Sequence, residues 1–77
     1  MSGDGAGVAR LIGSRWRHVR RGSTYTVLSV AKLQTAHPNE WLMDHTTMIV
    51  YVSEMDGSAW ARSLVEFTDG RFERIDT

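Results

Sequence analysis

The chain contains no cysteine, which excludes a disulfide framework and any thiolate-held metal. It also lacks a long apolar run, so neither a secretory signal nor a membrane span is expected. Both absences fit a soluble protein of the reducing cytoplasm. Net charge is missing too: nine lysines and arginines balance nine aspartates and glutamates. That balance speaks against a protein that coats nucleic acid nonspecifically, because such binding comes from neutralising phosphates. No nucleophile elbow, glycine-rich phosphate loop or His-Glu-x-x-His motif occurs, and no carboxylate pair has the spacing for acid–base work. Once its core is filled, a domain of 77 residues keeps little interior for a substrate cavity. The sequence reads as a non-enzyme.

What is present reads as one small domain, close to the lower limit for folding alone. Residues 1–13 carry Gly3, Gly5, Gly7 and Gly13 and predict a flexible tail, with Val8, Leu11 and Ile12 docking as a short helical turn. Residues 14–77 read as a single β domain. Trp16 to Arg20 predicts a first strand, ended by the turn Arg21-Gly22-Ser23. Thr24 to Gln34 is the clearest strand. Tyr25, Val27, Ala31 and Leu33 share one face, and Thr24, Thr26, Leu28, Val30 and Lys32 the other. Apolar groups on both faces fit a strand that bends around a small barrel. His37-Pro38-Asn39 is a loop, since proline has no amide for a ladder. Trp41 to His45 is undecided.

Met48 to Ser53 predicts another strand, with Met48, Val50 and Val52 opposite Ile49 and Tyr51. Met55-Asp56-Gly57-Ser58 predicts a tight hairpin, because Asp-Gly accepts positive φ angles. Ala59 to Arg62 is the return strand. Ser63-Leu64-Val65-Glu66 has capping-box spacing over a helical turn ending at Phe67, Asp69-Gly70 turns again, and Arg71 to Ile75 closes the chain. This order is that of a mainly β, small SH3-like barrel of about five antiparallel strands, with one short helical turn before the last. Closing the barrel would remove exposed edges. An open antiparallel sheet with a docked N-terminal helix is the competing architecture.

Several of these segments together carry a family pattern. Trp16-Arg17-His18, Gly22-Ser23-Thr24-Tyr25-Thr26-Val27-Leu28, Val50-Tyr51 and Trp60-Ala61-Arg62-Ser63-Leu64-Val65-Glu66-Phe67 resemble an uncharacterised family of small single-domain bacterial and phage proteins. Its pattern runs aromatic-Arg-His, Gly-x-x-Tyr-x-Val-Leu, Val-Tyr-Arg, Trp-x-Arg-Pro-Leu-x-x-Phe. Val52 stands where arginine is usual, and Ser63 where proline is usual. The resemblance spans Trp16 to Phe67 and implies a small shared fold, with no activity to carry over.

Candidate chemistry lies in two aromatic-cationic clusters. From Arg10 to Lys32 there are six cations and no acid, whereas eight acids follow from Glu40 onward. Trp60 and Arg62 alternate onto one face of their strand; Trp16, His18 and Arg20 share one face of theirs, with Arg17 on the other. If the two strands adjoin, Trp16, Arg17, His18, Arg20, Tyr25, Trp60 and Arg62 would hold an anionic partner, a nucleotide-type ligand or a nucleic-acid segment. The structural alternative puts Trp60 in the core, pairs Arg62 with Glu66 or Asp69, and leaves the early arginines as a solvated flank. His18, His37 and His45, with acids such as Asp44, do not supply convergent ligands, so neither a metal nor another cofactor is expected. Trp41, Met43, Met48 and Met55 form a second candidate surface. Its occupant would be a protein partner, such as a host protein modulated by a phage-derived factor, or a second copy of the chain; otherwise these residues plug an irregular core.

Overall fold

The structure is a computed structural model that describes residues 4–76. Residues 1–3, where the expected flexible tail begins, lie outside the described residues, as does Thr77. The elements run α1 (Asp4–Ala9), β1 (Arg15–His18), β2 (Thr24–Lys32), β3 (Thr47–Ser53), β4 (Ala59–Ser63), α2 (Leu64–Phe67) and β5 (Phe72–Arg74). The five strands form one antiparallel sheet in the order β4-β3-β2-β1-β5. The protein is therefore mainly β, with one short helix before its last strand. No helix among the described residues is long and apolar enough to cross a membrane.

The expected barrel closure is absent: β4 and β5 are the two edges of the sheet, and no ladder joins them. Side chains fill the seam instead. Phe67, fully buried on α2, stacks on Phe72 of β5 with ring centroids 4.6 Å apart. The Arg62 guanidinium of β4 lies over that same Phe72 ring at 5.7 Å. Rings and guanidinium together hold the edges further apart than the ~4.8 Å that strand pairing requires. Trp16, Tyr25 and Tyr51 pack edge-on or tilted around the two phenylalanines at 4.9 to 5.8 Å, a favoured arrangement for ring quadrupoles. Val27 and Ile49 complete the buried core.

The long strand departs from simple alternation. Val27 pairs with Tyr51, but Ser29 pairs with Val50, so Leu28 is an extra residue in a bulge. A one-residue insertion turns every later side chain over. Beyond it, Val30 opposes Ile49 and packs on the core, while Ala31 opposes Met48 and is exposed. The expected faces of Val30 and Ala31 are thus exchanged. Leu28 is left exposed on the outer side. The strand also ends at Lys32, and the undecided segment Trp41 to His45 is a turn-rich loop, in which Asn39 Oδ1 accepts from the amides of Trp41 (2.8 Å) and Leu42 (2.9 Å).

The capping expectation at Ser63 agrees with the structure: its Oγ accepts from the Glu66 amide at 3.3 Å. The Glu66 carboxylate does not complete the box; it turns outward to Arg62 and Arg71. Upstream, Val8 and Leu11 pack against the core while Ile12 stays exposed. Gly13 N and Ser14 O bond to the carbonyl and amide of Val27, at 2.8 and 2.9 Å, which ties this segment to β2.

Phe67→Ala is expected to remove about 3–5 kcal/mol, enough to unfold most of a domain this small. Leu28→Ala should change stability by less than ~0.5 kcal/mol. Urea unfolding followed by circular dichroism measures both; equal losses would mean that the ring stack does not carry the fold.

Candidate functional site

The expected first strand does not reach Arg20, because the chain turns at His18. His18 N donates to Ser23 O at 2.8 Å and Gly22 N to His18 O at 2.7 Å, with Gly22 at φ 78°. A residue with a Cβ rarely adopts that φ, so glycine is the natural occupant. The same closure recurs after β3, where Ser53 N bonds Ser58 O at 2.8 Å and Gly57 N bonds Ser53 O at 2.9 Å. That hairpin is therefore a four-residue loop in which only Gly57 takes positive φ, longer than the tight Asp-Gly turn its sequence predicts. At the first loop the consequence is chemical. Arg20 and Arg21 leave the alternating ribbon and turn toward the seam between β4 and β5.

Across that seam lies an open cleft of about 640 Å³. His18, Val19, Arg20 and Arg21 line one wall; Arg62 of β4 with Gly70 and Arg71, just ahead of β5, lines the other. No carboxylate of the described residues lines it. Acids stand at its rim, where Glu66 meets Arg62 at 3.1 Å and Arg71 at 3.6 Å, and Asp69 meets Arg71 at 3.2 Å. Arg20 and Arg21 have no ion-pair partner among the described residues. Positive charge thus exceeds negative charge here by about two.

A second, smaller cavity of about 180 Å³ adjoins it, sharing His18, Arg21 and Arg62 and adding Tyr25, Tyr51, Trp60 and Phe72. Trp60 is not core; it is 56% exposed. Hydrogen bonds orient its ring. Its Nε1 donates to Ser58 Oγ at 2.8 Å, and Ser58 Oγ donates to Asp56 Oδ1 at 2.7 Å. Trp16 repeats this arrangement, its Nε1 donating to Ser14 Oγ at 2.7 Å, because residues two apart in a strand share a face. Trp16, however, packs edge-on against Phe67 at 4.9 Å.

His18 sits between the two cavities, its ring edge-on to Phe72 at 5.0 Å. Nδ1 accepts from the Arg21 amide at 3.2 Å, which places the proton of the neutral ring on Nε2. Burial is the largest cause that lowers its pKa below 6.5, followed by the charges of Arg21, Arg62, Arg71 and Arg20. The imidazole is therefore kept neutral among cations.

Of the residues proposed from sequence, His18, Arg20, Tyr25, Trp60 and Arg62 line the two adjoining cavities. Trp16 and Arg17 do not. Trp16 belongs to the core, and Arg17 pairs with Glu73 on the outer face, Nε to Oε2 at 2.7 Å. Arg71, Tyr51 and Phe72 are not candidates from sequence, and Arg21 counts there only as one of the arginines around His18. The signal for Arg21 and Arg71 was their place beside Gly22 and Gly70, which turn them toward one seam. The methionine surface is divided: Trp41 and Met43 precede β3 and Met55 follows it, seven residues and ~20 Å along the strand, with Met48 half-buried between. His37 and His45 lie in the loop before β3, and among the described residues no three His, Asp or Glu side chains are grouped as a metal requires. Compared with known proteins, the chain matches no family model, no curated protein and no solved structure.

Because its folded pKa is lowered, His18 takes up its proton more readily in the unfolded chain, and its contribution to stability is lost as pH falls below about 6.5. An NMR titration should place the His18 midpoint below 6.5 and move it upward in Arg21→Ala. A midpoint unmoved by that change would mean that the arginines do not act on the ring.

Proposed function

We propose that this protein is a non-catalytic binding module of the cytoplasm. Its partner is anionic, a nucleotide-type ligand or a nucleic-acid segment, held through an aromatic and arginine surface. The observation that carries the reading is the convergence of Arg20, Arg21, Arg62 and Arg71 on one cleft, two of them without a carboxylate partner among the described residues. Guanidinium groups in this setting offer paired donors to phosphate or carboxylate oxygens. The neutral His18 Nε2–H adds a donor, and an arriving dianion favours its protonation. The arginines elsewhere on the sheet are occupied: Arg15 meets Glu54 in two bonds of 2.8 Å, Arg17 meets Glu73, and Arg74 meets Asp76 at 2.7 Å. Glu54 is correspondingly lowered to about 2, chiefly by its hydrogen bond from Arg15 and then by that from Thr26.

A protein–protein role through Trp41, Met43, Met48 and Met55 is the alternative reading. Its support is the exposure of Trp41 and Met43 before β3 and of Met55 after it, at 78%, 59% and 89%.

Pyrophosphate titrated calorimetrically at low salt tests the reading. Arg21→Ala is expected to weaken binding by roughly tenfold or more, the scale of a charged hydrogen bond. Arg17→Ala and Trp41→Ala should leave it unchanged. Glu66→Gln should tighten it several-fold by releasing Arg62 and Arg71, and added salt should weaken it. Equal affinities in Arg21→Ala and Arg17→Ala, or no binding at all, would overturn the reading.

A further inference from the structure

The arginine cleft and the aromatic cavity adjoin. They share His18, Arg21 and Arg62, so a molecule reaching into both must carry an anionic group tethered through a short linker to a flat ring system. Resting on the anion-binding reading, we propose that the ligand is a free mononucleotide, with its phosphate among Arg20, Arg21, Arg62 and Arg71 and its base on the Trp60 indole.

Three features favour this over a strand of nucleic acid. The first is the platform. Trp60 is exposed yet fixed in orientation by the chain Trp60 to Ser58 to Asp56, so a stacking face is held ready without being covered by the core. Ring ordering before binding lowers the entropy cost of a stack. The second is size. The aromatic cavity, about 180 Å³, accommodates one planar base, and its other walls are the rings of Tyr25, Tyr51 and Phe72. The third is the charge distribution. A strand needs cations that track its backbone and successive stacking rings. Here four arginines, Arg20, Arg21, Arg62 and Arg71, are gathered at one point, and Arg15 and Arg17 on the outer face are tied to Glu54 and Glu73. Trp16, the other indole held by a serine, is packed against Phe67 and offers no second platform.

The test compares four probes by calorimetry: adenosine 5′-monophosphate, inorganic phosphate, adenosine, and a single-stranded dodecamer of deoxyadenosine lacking terminal phosphates. The monophosphate is expected to bind at least roughly tenfold more tightly than inorganic phosphate, the increment of one base–aromatic stack. Trp60→Ala should reduce it to the phosphate level while leaving inorganic phosphate unaffected. Trp60→Phe should restore most of the difference, which separates stacking from a folding defect. Equal affinities for the monophosphate and inorganic phosphate, with Trp60→Ala silent, would sink the nucleotide assignment and leave the anion reading standing. Tighter binding of the dodecamer than of the monophosphate, with a salt dependence of several charges, would replace it with a strand site. Binding of none of the four would remove both readings together.

Discussion

The stack of Phe67 on Phe72 is the contact on which the rest depends. It lets a sheet of short strands curl without closing. The edges β4 and β5 have three to five residues each, too few to cover an apolar interior by themselves. A helical turn that drives one phenylalanine into the concave side solves this, because an aromatic ring buries more area than any other side chain of comparable backbone cost. The sheet then stays open at the seam that the rings occupy. A closed ladder there would have left no cleft.

That open seam also organises the charge. Arg62 bridges the two roles: its guanidinium covers the Phe72 ring, its Nε lies 3.4 Å from the Tyr51 hydroxyl, and its Nη1 reaches Glu66. A cation held over a ring and beside a hydroxyl is ordered before any ligand arrives. Arg20 and Arg21, by contrast, are on the loop after β1 and have no ion-pair partner among the described residues. The neutral His18 between them keeps the repulsion among four guanidinium groups from growing further.

Much of the architecture was legible along the chain. The Ser63 cap, the positions of the glycine turns and the alternation of Ile49 and Tyr51 against Val50 and Val52 all depend on neighbours within a few residues, and each agrees with the structure, although the Gly57 loop is longer than predicted. Local spacing failed where a non-local term decided. The bulge at Leu28 exchanges the faces of Val30 and Ala31, because only the register against β3 reveals the extra residue. Trp16 and Trp60 have the same Ser-x-Trp setting, yet one packs on Phe67 and the other faces solvent. Their difference lies in what the opposite edge of the sheet presents, and no local window contains that.

Composition and local pattern by themselves determined a cysteine-free, mainly β domain with its turns at Gly22, Gly57 and Gly70, and two clusters rich in rings and guanidinium groups. These follow from backbone sterics and from side-chain period, which act over two to four residues. Only the tertiary structure decided that the sheet remains open, that Arg17 faces away while Arg21 and Arg71 line the cleft, and that the aromatic cavity adjoins the cationic one. Those outcomes rest on contacts between separate elements, such as Phe67 with Phe72, His18 with Phe72 and Arg17 with Glu73, whose packing energies no single segment holds.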